Sequence, residues 1–333
     1  MPELKYKRTC TNIAIAVLIN TLLLQTLSTF VYALAPAAEQ SLRTFARIHG
    51  INASDLYYAF EETLALTAYL VSFLIPAFIF MFISRKEGHE PMRLGVKLEP
   101  ESPIVIIGAI GFILPAAYLN SLMVSFIDFS PLFEDEPLNT PVKLLMAFIS
   151  IAIVPAVCEE FLYRGCVLSN LLPYGKTTAI IGSALLFALM HGNFAQFFYT
   201  FVAGLVLGAV YVETGSIWIS TFIHLFNNFY SVIQQFIYER SGKSEEMNII
   251  IFVVDVMLPI AGLAVAAWLI YKRTKSDKLK VAAIPTKKYD LDNKVLVKGF
   301  LNPVMIVHIV ISLALATLIV ITALMIPAME SGW

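Results

Sequence analysis

The chain has 333 residues, of which 58% are hydrophobic and 14% charged, and its mean hydropathy is +0.77. So apolar a composition excludes a soluble domain and points to a polytopic integral membrane protein, all-α because lipid offers no partner for backbone N–H and C=O groups. The formal net charge of -1 creates no field that would attract nucleic acid, and no nucleic-acid partner is expected.

Lys5, Lys7 and Arg8 precede an apolar run over about 13–35. The run is too long for the core of a secretory signal, and Ala33-Leu34-Ala35 is followed by Pro36, a poor residue after a cleavage point, so the segment reads as a retained anchor. Asn52-Ala53-Ser54 matches a glycosylation acceptor, a pattern short enough to arise by chance. Further apolar segments cover about 63–84, 103–127, 142–172, 177–194, 195–213, 216–238, 248–271 and 303–327, which predicts a helical bundle of eight or nine spans. Pro76, Pro115 and Pro155 fall within these segments and predict kinks rather than ends. The 85–99 link mixes Arg85, Lys86, Arg93 and Lys97 with Met92, Leu94, Val96 and Leu98, so it reads either as an amphipathic stretch on the headgroups or as a solvated link.

Basic residues set the expected orientation. Lys5, Lys7 and Arg8, the 85–97 cluster and nine basic residues over 272–298 share one side under a nine-span count. The acidic link with Glu134, Asp135 and Glu136 falls on the other, as do Arg43 and Arg47 against the trend. Positive-inside then places the N-terminus in the cytoplasm and Trp333 outside, in a chain resident in the cell membrane. Cys10, Cys158 and Cys166 show no CxxC spacing and read as buried small side chains.

The segment 142–157 is almost wholly hydrophobic and leads into Cys158-Glu159-Glu160-Phe161-Leu162-Tyr163-Arg164. A carboxylate at membrane depth costs roughly 2.5–3.5 kcal/mol on insertion scales, so two in succession need a partner or a purpose. Glu160 and Arg164 are four apart and share a helix face, which neutralises Glu160 locally. Glu159 lies about 100° away around the helix, outside that pairing. The competing reading of the trio is a structural salt-bridge network. Two later helices carry further polar groups: His191 closes the apolar run Phe187-Ala188-Leu189-Met190, and His224 and Asn228 lie four apart. A lone intramembrane His more often makes an interhelical hydrogen bond than it catalyses. At 1.5 Å per residue, Glu159 and His191 lie about 20 and 22 Å from the turn at 173–176. Asn228 and His224 lie about 20 and 14 Å from the turn near 213–216, so the four can share one layer around an intramembrane polar cavity. The helix between them carries Gly204 and Gly208, a spacing that lets helices pack closely.

A carboxylate and an imidazole converging on water can deprotonate it, and a second His with an Asn amide can donate to the oxyanion formed when that water attacks an amide carbonyl. No Ser or Cys stands at a recognisable motif spacing to these groups, which favours direct water attack over an acyl-enzyme.

The ordered set Glu159-Glu160-x-x-x-Arg164, Phe187-x-x-x-His191 and His224-x-x-x-Asn228 resembles the three motifs of the type II CAAX prenyl endopeptidase and bacteriocin-processing (CPBP, Abi-like) family of intramembrane proteases. The resemblance covers about 103–238. It implies that Glu159 and His191 activate the water, His224 and Asn228 form the oxyanion hole, and Glu160 and Arg164 support the site, in a helical bundle whose cavity opens laterally and toward water. The implied function is a cofactor-free, glutamate-type endopeptidase acting on a membrane-associated peptide or protein, prenylated or leader-bearing. The expected organisation is a two-span N-terminal extension (1–102), a protease core (103–240) and a two-span C-terminal extension (241–333) with the basic loop. Two alternatives stay open: a zinc metalloprotease with Glu159, His191 and His224 as ligands, although HExxH is missing, and a non-enzymatic immunity, transport or scaffold protein.

Overall fold

The computed structural model describes residues 2–85, 90, 92–95, 102–124, 137–241, 244–275 and 289–330. The elements are α1 (Pro2–His49), α2 (Ala53–Ser84), α3 (Ser102–Val124), α4 (Pro141–Tyr174), α5 (Lys176–Met190), α6 (Phe194–Thr214), α7 (Ile217–Arg240), α8 (Glu245–Lys275), α9 (Asn293–Phe300) and α10 (Pro303–Glu330). No strand occurs among the described residues, and the protein is a polytopic helical bundle.

Among the described residues, seven helices, α1, α2, α3, α4, α6, α8 and α10, are long and apolar enough to cross a membrane. The expected eight or nine is not reached on those criteria, for two physical reasons. Helix α5 has 15 residues, about 22 Å, which falls short of a hydrocarbon core of about 30 Å. Helix α7 is long enough but carries His224, Asn227, Asn228, Gln234 and Gln235 along its length. The first helix also departs from expectation. It continues through Pro36 to His49, 48 residues in all, so its last turns extend well beyond the 13–35 apolar run. Pro76, Pro115 and Pro155 lie inside helices, as their sequence context predicts. Asn52 caps α2, its side chain accepting from the N–H groups of Ser54 and Asp55, which gives the Asn-x-Ser triplet a structural role. Residues 86–89, 91 and 96–99 of the 85–99 link, the acidic link at 134–136, and 276–288 of the basic loop lie outside the described residues.

Helix α1 packs along α2 and α10, and α3 packs against α6 and α8. Fully buried Asn20 ties three helices together, donating to the Ser72 carbonyl (2.8 Å) and accepting from the Tyr163 hydroxyl (3.1 Å). All three cysteines are free and buried. Large apolar side chains on α8 and α10, such as Phe252, Met257, Val310 and Leu324, are exposed, as lipid-facing residues should be.

One end of the bundle gathers the segments that the basic-residue count groups on one side. The Tyr6 hydroxyl donates to the Leu296 carbonyl, the Tyr6 ring stands edge-on to Tyr174 at 4.7 Å, and the Tyr289 N–H donates to the Pro173 carbonyl. The 92–95 strap runs alongside α7, with Ile217 N–H on the Arg93 carbonyl and Trp218 Nε1 on the Leu94 carbonyl. Lys176 and Glu213 pair across the starts and ends of α5 and α6.

The small residues of α6 hold it against α5 and α4. A Cβ on Gly204 would stand 2.9 Å from Ala184 Cα, and one on Gly208 would stand 3.1 Å from Leu168 Cδ1. Gly204→Ala should therefore push α6 off α5 and cost about 1–3 kcal/mol, read as earlier thermal unfolding of the detergent-solubilised protein. Wild-type stability in that variant would rule out so close a crossing.

Candidate active site

Helix α4 contains two stretches of π-helix, Phe148–Ile153 and Phe161–Leu168, which bracket the turn Val154–Glu160 that carries both acids. Such widened turns interrupt the regular ladder and recur at functional sites. In the first, Val154 N–H reaches back to the Ile149 carbonyl. Pro155 then has no N–H to offer the Ile151 carbonyl four residues earlier, and that carbonyl accepts instead from Asn228 Nδ2 at 3.0 Å. A proline in α4 thus supplies the anchor for an amide on α7. In the second, the Arg164 carbonyl accepts from both the N–H and the hydroxyl of Ser169, the latter at 2.9 Å.

Glu160 and Arg164 form a completely buried ion pair, Nη1 to Oε1 2.9 Å. The guanidinium also donates to the Gly204 carbonyl (3.3 Å) and lies 4.7 Å above the Phe187 ring. The same Glu160 Oε1 meets His224 Nδ1 at 3.1 Å. A carboxylate only accepts, so His224 carries its proton on Nδ1 there and turns Nε2 toward Glu159 Oε2, 3.6 Å away. His191 Nδ1 stands 3.0 Å from the Phe187 carbonyl, which likewise fixes the proton on Nδ1 and leaves Nε2 a lone pair. Phe187 separates the two histidines, edge-on to His191 at 5.2 Å and to His224 at 5.8 Å.

Glu159, His191, His224 and Asn228 line one small cavity of about 70 Å³, together with Ile113, Phe187, Tyr199, Thr200, Ala203, Leu207 and Asn227. A site for one water needs roughly 10–15 Å³, so this cavity has room for a few. Its walls come from α3, α4, α5, α6 and α7. All four core candidates are therefore in one place, and Glu160 and Arg164 lie directly behind them.

Three polar contacts at the site have no counterpart in the motif reading. The Tyr69 hydroxyl on α2 donates to Glu159 Oε1. The amide of Asn227 donates to the Tyr199 hydroxyl and, at 3.1 Å, to Asn228 Oδ1, so it orients Asn228 from the neighbouring position. Each hydroxyl sits in an otherwise apolar helix, where Tyr is an ordinary packing residue, and nothing in the local sequence distinguishes these two. Asn227 was legible only as the residue between His224 and Asn228.

Among the described residues no group of three or more His, Cys, Asp or Glu side chains takes an arrangement that could hold a metal ion.

A bundle of membrane-length apolar helices thus encloses a small cavity lined by a buried carboxylate, two imidazoles and an amide, groups able to bind and polarise water. Residues 141–230 match the Rce1-like family model, described as type II CAAX prenyl endopeptidase Rce1-like, which agrees with the family that the three motifs resemble. The likeness to type II CAAX prenyl endopeptidases is confined to that stretch, about a quarter of the chain. The matched stretch contains Glu159, Glu160, Arg164, His191, His224 and Asn228. Comparisons with curated proteins and with solved structures gave no match.

Proposed function

We propose that the protein is a glutamate-type intramembrane endopeptidase that hydrolyses a peptide bond by direct attack of water. The observation that carries this reading is the convergence of Glu159, His191, His224 and Asn228 on one cavity inside the Rce1-like segment. Glu159 Oε2 is buried, and no hydrogen bond to it occurs among the described residues. It is the oxygen free to take a proton. A water donating to Glu159 Oε2 and to the His191 Nε2 lone pair directs its own lone pair at the substrate carbonyl. Its proton passes to Glu159 as the carbon–oxygen bond forms. The oxyanion lies in the hole lined by His224 and Asn228, where the second Asn228 Nδ2 hydrogen donates to it, the first being held by Ile151. Collapse of the intermediate breaks the carbon–nitrogen bond, and Glu159 returns the proton to the departing amine. Glu160 and Arg164 stay paired throughout and hold His224 in register.

The substrate is a membrane-associated peptide, prenylated or leader-bearing, and the chain sits in the cell membrane with its N-terminus in the cytoplasm. The core over 103–240 carries the chemistry, flanked by the extensions 1–102 and 241–333. No metal takes part. Purified protein in liposomes, given an internally quenched prenylated peptide, should retain its cleavage after exhaustive chelation. Loss restored by zinc would transfer the chemistry to a metal-bound water and overturn the mechanism.

A further inference from the structure

We infer that Tyr69, on α2 and outside the Rce1-like segment, is a positioning residue for Glu159. The inference rests on the hydrolytic reading above and assigns a role to a side chain that the motifs leave out. The Tyr69 hydroxyl donates to Glu159 Oε1, while Oε2 accepts no hydrogen bond among the described residues and stands 3.6 Å from His224 Nε2. The two oxygens of one carboxylate are therefore inequivalent. Oε1 is tethered to α2, and Oε2 is left as the base.

The tether is itself held in place. The Tyr69 ring stacks on Phe73 one turn later, with centroids 4.5 Å apart and planes 25° apart, and Phe73 is buried in the main core. Phe73 neighbours Ser72, whose carbonyl accepts from Asn20, and Asn20 in turn accepts from Tyr163 on α4. Helix α2 is thus fixed against the helix that carries Glu159 by a second, independent link. The groups that face the carboxylate from the packed helices are Tyr69 on α2, His224 on α7 and His191 at the C-cap of α5, with Cys158, Glu160, Tyr163 and Arg164 adjacent on α4 and Tyr199 on α6. Only Tyr69 donates a hydrogen bond to Glu159 among the described residues.

A donor on one carboxylate oxygen stops rotation of the group, so that Oε2 meets the water in one orientation. The effect is on the reacting step and not on substrate affinity.

The test uses Tyr69→Phe, which keeps the ring and its stack on Phe73, in full-length protein reconstituted in liposomes. Two measurements are made beside wild type and Glu159→Gln: steady-state cleavage of the quenched prenylated peptide, and thermal unfolding of the solubilised protein. Loss of a hydrogen bond to a charged group predicts that kcat falls about 10- to 100-fold with KM unchanged. A collapsed variant would instead lose its size-exclusion peak and its unfolding transition, so a fall in kcat alone separates positioning from collapse. Wild-type kcat in Tyr69→Phe, or a loss carried by KM, overturns the assignment while leaving the hydrolytic reading in place, provided Glu159→Gln is inactive. Full cleavage by Glu159→Gln overturns that reading, and the role of Tyr69 with it.

Discussion

Glu159→Gln should lower cleavage of a membrane peptide about 10²- to 10⁴-fold, the range that a positioned general base contributes, while the bundle stays folded. The substitution is close to isosteric and removes only the charge and the ability to take a proton. Tyr69 can still donate to the amide oxygen if that atom occupies the Oε1 position. His224 keeps its anchor, because Nδ1 is held by Glu160 and not by Glu159. The variant should therefore match wild type in thermal unfolding and in its size-exclusion profile, and differ in kcat alone. An unbiased comparison of membrane peptides from cells making the two proteins would also give the cleavage site, as termini present only with the active form. If Glu159→Gln and His191→Ala both retained full function, the protein would have to act as a transporter, scaffold or immunity protein.

Arg164→Ala should be the most damaging single change to the fold, at about 3–5 kcal/mol, because it leaves the fully buried Glu160 carboxylate without its counter-charge. The same change removes the donor to the Gly204 carbonyl and the cation over Phe187, loosening α4 from α5 and α6 together. Arg164→Lys keeps the charge but not the planar fork that serves Glu160 and Gly204 at once, and should cost less. The pair Glu160→Gln with Arg164→Met should recover most of the stability, since exchanging a buried ion pair for neutral groups of similar size is often tolerated. Cleavage should stay low in that double variant, because no carboxylate then fixes the His224 tautomer. An Arg164→Ala protein as stable as wild type in thermal unfolding would refute the view that the pair is structurally costly to break.

Much of this site was legible in the sequence for a reason particular to membranes. Against an apolar background every charge or imidazole is expensive, so Glu159, Glu160, Arg164, His191 and His224 stand out one residue at a time. Helical spacing then predicts the 160–164 pair that the fold contains, and counting residues from the two turns brings the others to a common depth. The number of spans is less legible. Helix α5 is too short and α7 too polar to satisfy a span criterion, although both border the cavity, and most of α5 is buried within the bundle, where no apolar surface has to face lipid. Helix α1 also runs past the apolar stretch at 13–35, through Pro36 to His49, since a proline within a long helix disrupts only one turn.

The sequence by itself determined that this is a helical membrane protein and which ionisable side chains gather at the cavity, because the cost of placing charge in lipid belongs to each residue separately. Only the tertiary structure decided how those groups are held. Tyr69 on Glu159 Oε1, Asn228 on the carbonyl opposite Pro155, and Glu160 shared between Arg164 and His224 are all contacts made between or across helices. A tyrosine or an asparagine costs too little in an apolar helix to announce itself, and whether its hydrogen bond reaches a catalytic oxygen depends on the rotation and depth of two helices relative to each other. Those quantities are set by packing, such as the close approach at Gly204, and no local pattern encodes them.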